Sequence, residues 1–151
     1  MAHIVVVAHA PLATSLQALA AHAYPECAGR LIAVDVGPGE GLDAVEARVR
    51  AALSSVLAGG DEALVLVDVF GATPCNGALA AVDGLRARVV AGVNVPMLWR
   101  SLCYAALPLE ELVPRAVAGA SQGVMHVPVS RRQNQGPAPK AHDPVQHHHQ
   151  Q

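Results

Sequence analysis

The chain has 151 residues, 52% of them hydrophobic and 15% charged, and its formal net charge is −2. That is enough apolar material for one packed domain and too much for a wholly disordered chain, and with no face-forming run of Lys or Arg, nucleic-acid binding has no electrostatic support. Cys27, Cys75 and Cys103 form no CxxC pair, no stretch approaches the ~18 apolar residues that cross a bilayer, and Met1 to Ala8 is too short and lacks the basic leader of a signal segment, so a cytoplasmic protein without direct membrane insertion is expected.

His3 to Ala8 is a continuous apolar, mostly β-branched run, the pattern of a strand covered on both faces. Pro11 follows at a position suited to the first turn of a helix. Leu12, Leu16, Leu19 and Ala23 keep helical spacing up to Tyr24-Pro25. A second strand, Leu31 to Val36, stops at Gly37-Pro38-Gly39. Leu42, Val45, Val49, Leu53 and Val56 then mark one stripe of a helix closed by Gly59-Gly60.

Ala63 to Val69 is a third buried-type strand with Asp68 near its end. The turn Phe70 to Cys75 leads into a helix running to about Val82, for which Asn76 is the expected cap. Arg88 to Val93 reads as a fourth strand. Pro96 to Ala106 and Leu109 to Ala120 read as helices, and Gly123 to Val129 as a final strand. Strands separated by helices through short connections specify an α/β fold with a doubly wound, mainly parallel sheet. Residues 1–129 make up the domain. Residues 130–151, rich in Gln, Pro and His and without periodicity, read as a disordered tail.

In such a sheet, sites form beyond the carboxyl ends of strands where the strand order reverses. With an order of 2-1-3-4 the reversal falls between strands one and three, which brings His9 and Asp68 face to face. A carboxylate that accepts one imidazole N–H leaves the other ring nitrogen as a nucleophile and stabilises the cation formed on attack. Backbone N–H groups of Gly71 and Ala72, the Thr73 hydroxyl, and the helix start beyond His9, where Ala10 adjoins the donor-less Pro11, are candidate partners for phosphoryl oxygens. Taken one at a time, His9 and Asp68 have ordinary structural explanations, and only their joint placement at two strand ends points to a site.

Other side chains read more simply. His147, His148 and His149 lack the fixed geometry of a metal site, and no metal is expected. His22 and His126 are expected to be structural, and Met97 and Trp99 to belong to the core. Arg100 is placed near the crevice edge.

The segments VVVAHAPLATSL, LVDVFGATPCN and VVAGVNVPML resemble the IIA domain of the mannose family of the phosphoenolpyruvate-dependent sugar phosphotransferase system, from about Ile4 to His126. The resemblance implies four parallel strands plus an antiparallel edge strand exchanged in a homodimer, with Gly123 to Val129 as the candidate. It implies that His9 accepts a phosphoryl group from the phosphocarrier HPr, that Asp68 orients His9, and that Thr73 contacts the phosphoryl oxygens. It further implies onward transfer to a IIB domain without metal or organic cofactor. A regulatory protein that binds its partner according to phosphorylation state is the alternative. Ala10 stands where the family usually has glycine, which narrows the backbone without removing its N–H. The IIA domain that serves dihydroxyacetone kinase shares the fold but usually lacks the Phe70-Gly71-Ala72-Thr73-Pro74 turn.

Overall fold

The structure, a computed structural model, describes residues 1–129. Its elements are β1 (Ala2–His9), α1 (Leu12–Ala23), a short 3-10 turn (Ala28–Arg30), β2 (Leu31–Val36), α2 (Leu42–Leu57), β3 (Glu62–Val67), α3 (Thr73–Ala81), β4 (Ala87–Ala91), α4 (Val95–Cys103) and α5 (Leu109–Gln122). The four strands form one parallel sheet in the order β2-β1-β3-β4. The chain winds from β1 to β2 on one side and then returns past β1 to β3, so the order reverses between β1 and β3.

Period-two alternation splits the core into two layers. Ile4, Val6, Ala8, Leu64 and Leu66 pack with α1, α4 and α5. Val5, Val7, Val65 and Val67 pack with α2 and α3 through Val45, Val49, Leu53, Cys75 and Ala78. Of the stripe seen in the sequence of α2, Leu42, at the helix start, is 46% exposed, while Val45, Val49, Leu53 and Val56 are all at most 5% exposed. Burying each such side chain stabilises the fold by ~1.5–3 kcal/mol. Where α2 meets α3 the residue is Gly77, and a methyl group there would come within 2.5 Å of Val45 Cγ1.

Two expectations need correction. Asn76 does not cap α3: the helix starts three residues earlier, at Thr73, with Ala72 in the cap position and no side-chain acceptor. Pro74 accounts for the earlier start, since it suits a first helical turn. The side chain that caps a helix is Asn94, whose Oδ1 accepts the Met97 N–H at 2.9 Å at the start of α4. The strand expected over Gly123 to Val129 is absent: Gly123 closes α5, and residues 124–129 pair with no strand among the described residues. A strand exists only against a neighbour, and this chain places none beside that segment. Val124, Met125, Val127 and Val129 are left 69–89% exposed. The expected tail, residues 130–151, and with it His147 to His149, lies outside the described residues.

Candidate functional site

His9 is the last residue of β1 and Asp68 the first beyond β3, so the neighbouring strands deliver both to the carboxyl edge at the reversal point. Asp68 Oδ2 accepts the His9 backbone N–H at 2.9 Å and lies 2.6 Å from His9 Nδ1. Its other oxygen accepts the Val69 N–H at 2.9 Å. A carboxylate only accepts, so Nδ1 carries the proton and Nε2 keeps its lone pair. The His9 side chain is 55% exposed and that of Asp68 14%. Burial pushes the Asp68 carboxyl up, but the His9 backbone N–H, its ring N–H and the Val69 N–H together hold it below the usual carboxylate value. It stays ionised, and the imidazole has a fixed tautomer and an open nitrogen.

The expected oxygen contacts divide. Ala10 is not a free donor, because its N–H is bonded to the Val36 carbonyl at 2.9 Å. Most of the start of α1 is taken up as well: Asp35 Oδ1 accepts the Ala13 and Thr14 N–H groups at 2.9 and 3.2 Å, and Asp35 Oδ2 the Thr14 hydroxyl at 2.6 Å, while the Leu12 N–H has no partner among the described residues. The start of α3 is open. The N–H groups of Gly71, Ala72 and Thr73, and the Thr73 hydroxyl, have no partner among the described residues, and Gly71 makes its turn at φ +84°. Alternation carried past Val5 and Val7 puts His9 on this α2–α3 side. Thr73 is half-buried and makes no hydrogen bond to His9 or Asp68.

Asp35 and Asn94 were not singled out from the sequence. A signal for Asp35 existed: β2 and β3 both end in Val-Asp-Val, at residues 34–36 and 67–69. Arg100 lines a groove of about 400 Å³ between α4 and α5, with Pro96, Trp99, Cys103 and Gly123, and makes no contact with His9 or Asp68. Met97 is core as expected, but Trp99 is only half-buried, edge-on to Tyr24. His22 and His126 are exposed and make no hydrogen bond among the described residues, so neither has the expected structural role. Phe70, on the loop after Asp68, is 78% exposed, with Val69 beside it at 50%.

The fold and site together define a doubly wound α/β protein with an exposed, carboxylate-held imidazole at its switch point. Residues 3–117 match the family model described as PTS system fructose IIA component, and the chain belongs to that family, the mannose-type IIA components of the phosphotransferase system. Among solved structures, it is similar to the mannose/sorbose specific IIA subunit from Enterococcus faecalis, at 25% identity and a TM-score of 0.76, over 86% of this chain and 97% of that one. The phosphotransferase component EIIA from Streptococcus agalactiae shares the fold at 22% identity and a TM-score of 0.68, over 83% and 97% of the two chains. So does the IIA protein associated with the fucose utilization operon from Streptococcus pneumoniae, at 24% identity and a TM-score of 0.65, over 83% and 92%. No curated protein matches the sequence. No helix among the described residues is long and apolar enough to cross a membrane.

Proposed function

We propose that this chain is a cytoplasmic phosphocarrier that takes a phosphoryl group from an HPr-type protein on His9 and passes it to a IIB domain. The observation that carries the proposal is the 2.6 Å contact of Asp68 with Nδ1 of a half-exposed imidazole. Nε2 attacks the phosphorus of the donor's phosphohistidine, the new N–P bond forms as the old one breaks, and the donor ring leaves neutral. The proton stays on Nδ1, where Asp68 balances the charge that the acceptor ring gains. Free N–H groups at the start of α3, and the Thr73 hydroxyl, receive the phosphoryl oxygens in this reading. No metal or organic cofactor takes part.

The partner must cover the rim around His9 to bring its phosphorus within bonding reach, and Phe70 and Val69 supply apolar area there. A homodimer belongs to the same proposal: the exposed apolar residues of 124–129 are suited to joining the sheet of a second subunit. Incubation with phosphoenolpyruvate, enzyme I and HPr should label the wild type and leave His9→Ala unlabelled. Label retained by His9→Ala refutes the assignment. Onward transfer to a IIB domain separates a carrier from a regulator, which accepts label and keeps it.

A further inference from the structure

Asp35 has no part in the chemistry just described, yet both of its carboxylate oxygens are engaged. It lies in β2 opposite Ala8, with Val36 opposite His9. Its two oxygens accept the Ala13 and Thr14 N–H groups and the Thr14 hydroxyl, which pins the first turn of α1 to β2. A helix is usually capped by the residue just before it. Here that residue is Pro11, which has no side-chain acceptor, and the cap comes from a separate strand.

The strand end is itself braced. The Arg48 guanidinium donates to the Asp35 carbonyl at 2.8 Å and is held by Glu40, whose carboxylate also accepts the Gly37 N–H. The Val36 carbonyl takes the Ala10 N–H. Only Ala10 and Pro11 separate His9 from α1, so the residue is gripped by β3 on one flank and by β2 on the other. The Asp35 side chain lies on the α1 side of the sheet with Leu31, whereas alternation puts His9 on the α3 side.

We propose that Asp35 is a positioning residue for the phosphoryl acceptor: by docking its carboxylate in the N-terminus of α1 it fixes the backbone that carries His9 and takes up the Ala13 and Thr14 N–H groups that would otherwise attract the incoming phosphoryl oxygens. The inference rests on His9 being the acceptor. Without Asp35, the Ala10 N–H bond to the Val36 carbonyl remains, but the side-chain tie between β2 and the first turn of α1 is lost. The first turn of α1 would also expose N–H groups that attract anions on the wrong side of the sheet. Misplacement of a reacting group by about 1 Å can cost as much as 100-fold in rate.

The test is single-turnover transfer from phosphorylated HPr to wild type, Asp35→Ala, Asp35→Asn and Thr14→Val, with urea unfolding of each. Asp35→Ala is expected to transfer ~10-fold more slowly at saturating donor, with the donor KM changed less than ~2-fold. Asp35→Asn keeps one oxygen for the N–H groups and should fall between the two. Thr14→Val, which loses the hydroxyl's contacts to Asp35 and to the Pro11 carbonyl but keeps the N–H bond to Asp35, should be ~3-fold slower. Inorganic phosphate, as a probe of the opened helix end, should inhibit Asp35→Ala more than wild type. The proton resonance of the Nδ1–H group bonded to Asp68 should shift in Asp35→Ala. A cap that serves stability alone would lower the urea midpoint and leave rate, phosphate sensitivity and resonance unchanged, and that pattern overturns the proposal. If Asp35→Ala does not fold, a wild-type rate in Thr14→Val overturns it instead. Failure of wild type to accept label refutes the phosphocarrier reading, whereas a labelled wild type with a fully active Asp35→Ala refutes only the role of Asp35.

Discussion

Asp68→Asn is the substitution that probes the proposed chemistry most directly. The amide is nearly the same size and its oxygen can still accept one N–H, so the strand ends should stay in place. What disappears is the negative charge 2.6 Å from Nδ1. During attack the acceptor ring becomes cationic. Unit charges ~4 Å apart, the separation after averaging over ring and carboxylate, attract by about 4 kcal/mol at an effective dielectric constant of 20. Because the ring is 55% exposed, solvent screens roughly half of this. A loss of ~2 kcal/mol remains, within the range of a charge-assisted hydrogen bond, and it corresponds to a rate lower by about 30-fold. Rapid-quench measurement of transfer from radiolabelled phospho-HPr at saturating donor reads this number, with the urea midpoint as a check on folding. A folded Asp68→Asn protein within ~3-fold of wild type would refute the electrostatic reasoning.

Acid should destabilise the protein over a defined range. Glu40, Asp61, Asp68 and Asp83 all have carboxyls held below their usual values in the folded chain, Glu40 by the Gly37 N–H and Arg48, and Asp83 by the Leu85, Ala87 and Arg86 N–H groups. The unfolded state therefore binds protons first, so stability is fully present above the ordinary carboxylate range near pH 4 and falls as pH drops through the lower folded values. The urea midpoint should be flat from about pH 7 to 5 and decline below about 4.5, and a midpoint that rises on acidification contradicts this. Gly77→Ala should destabilise by ~1 kcal/mol, since overpacking against Val45 costs ~1–3 kcal/mol and the gain in helix propensity returns about 1. Equilibrium urea unfolding measures it, and an increase in stability would show that α2 and α3 are not in close contact there. Phe70→Ala should raise the KM for phospho-HPr ~5- to 30-fold at nearly unchanged kcat, as expected of an exposed aromatic anchor worth ~1–2 kcal/mol. An unchanged KM would remove Phe70 from the docking surface.

Much of the fold was legible because its signals are local. The apolar runs of β1, β2 and β3 and the stripe of α2 are written in consecutive or regularly spaced residues, and each element formed within a residue or two of its expected bounds. Topology rules left a few doubly wound strand orders open; under the order 2-1-3-4, which the sheet has, His9 and Asp68, 59 residues apart, come together. Contacts that depend on where a side chain finds a partner across the fold were not legible. Asp35 reaches the first turn of a helix 22 residues earlier in the chain, and nothing in the spacing announces it. For the same reason Ala10 looked like a free donor, when its N–H was already committed to a carbonyl of the neighbouring strand. The segment 124–129 has the composition of a strand, but a strand forms only against a neighbour, and no described strand lies beside it.

The two Val-Asp-Val ends show how one sequence pattern serves two purposes in this sheet. Asp35 and Asp68 flank the same strand, β1, and both accept N–H groups at or beyond its end, Asp68 that of His9 and Asp35 those of Ala13 and Thr14. Asp35 finds only helix backbone and a hydroxyl, all of which it satisfies, so its charge is absorbed in holding α1. Asp68 also takes backbone N–H groups, but one of its partners is a ring whose far nitrogen faces solvent. The difference arises from where β1 stops: its last residue is a histidine on the α3 side, where the helix start still has unpaired N–H groups. One carboxylate ties down a helix end, and in the proposed function the other activates an imidazole. In that proposal the phosphoryl group meets the N–H groups at the start of α3, unpaired among the described residues, on the side where His9 stands.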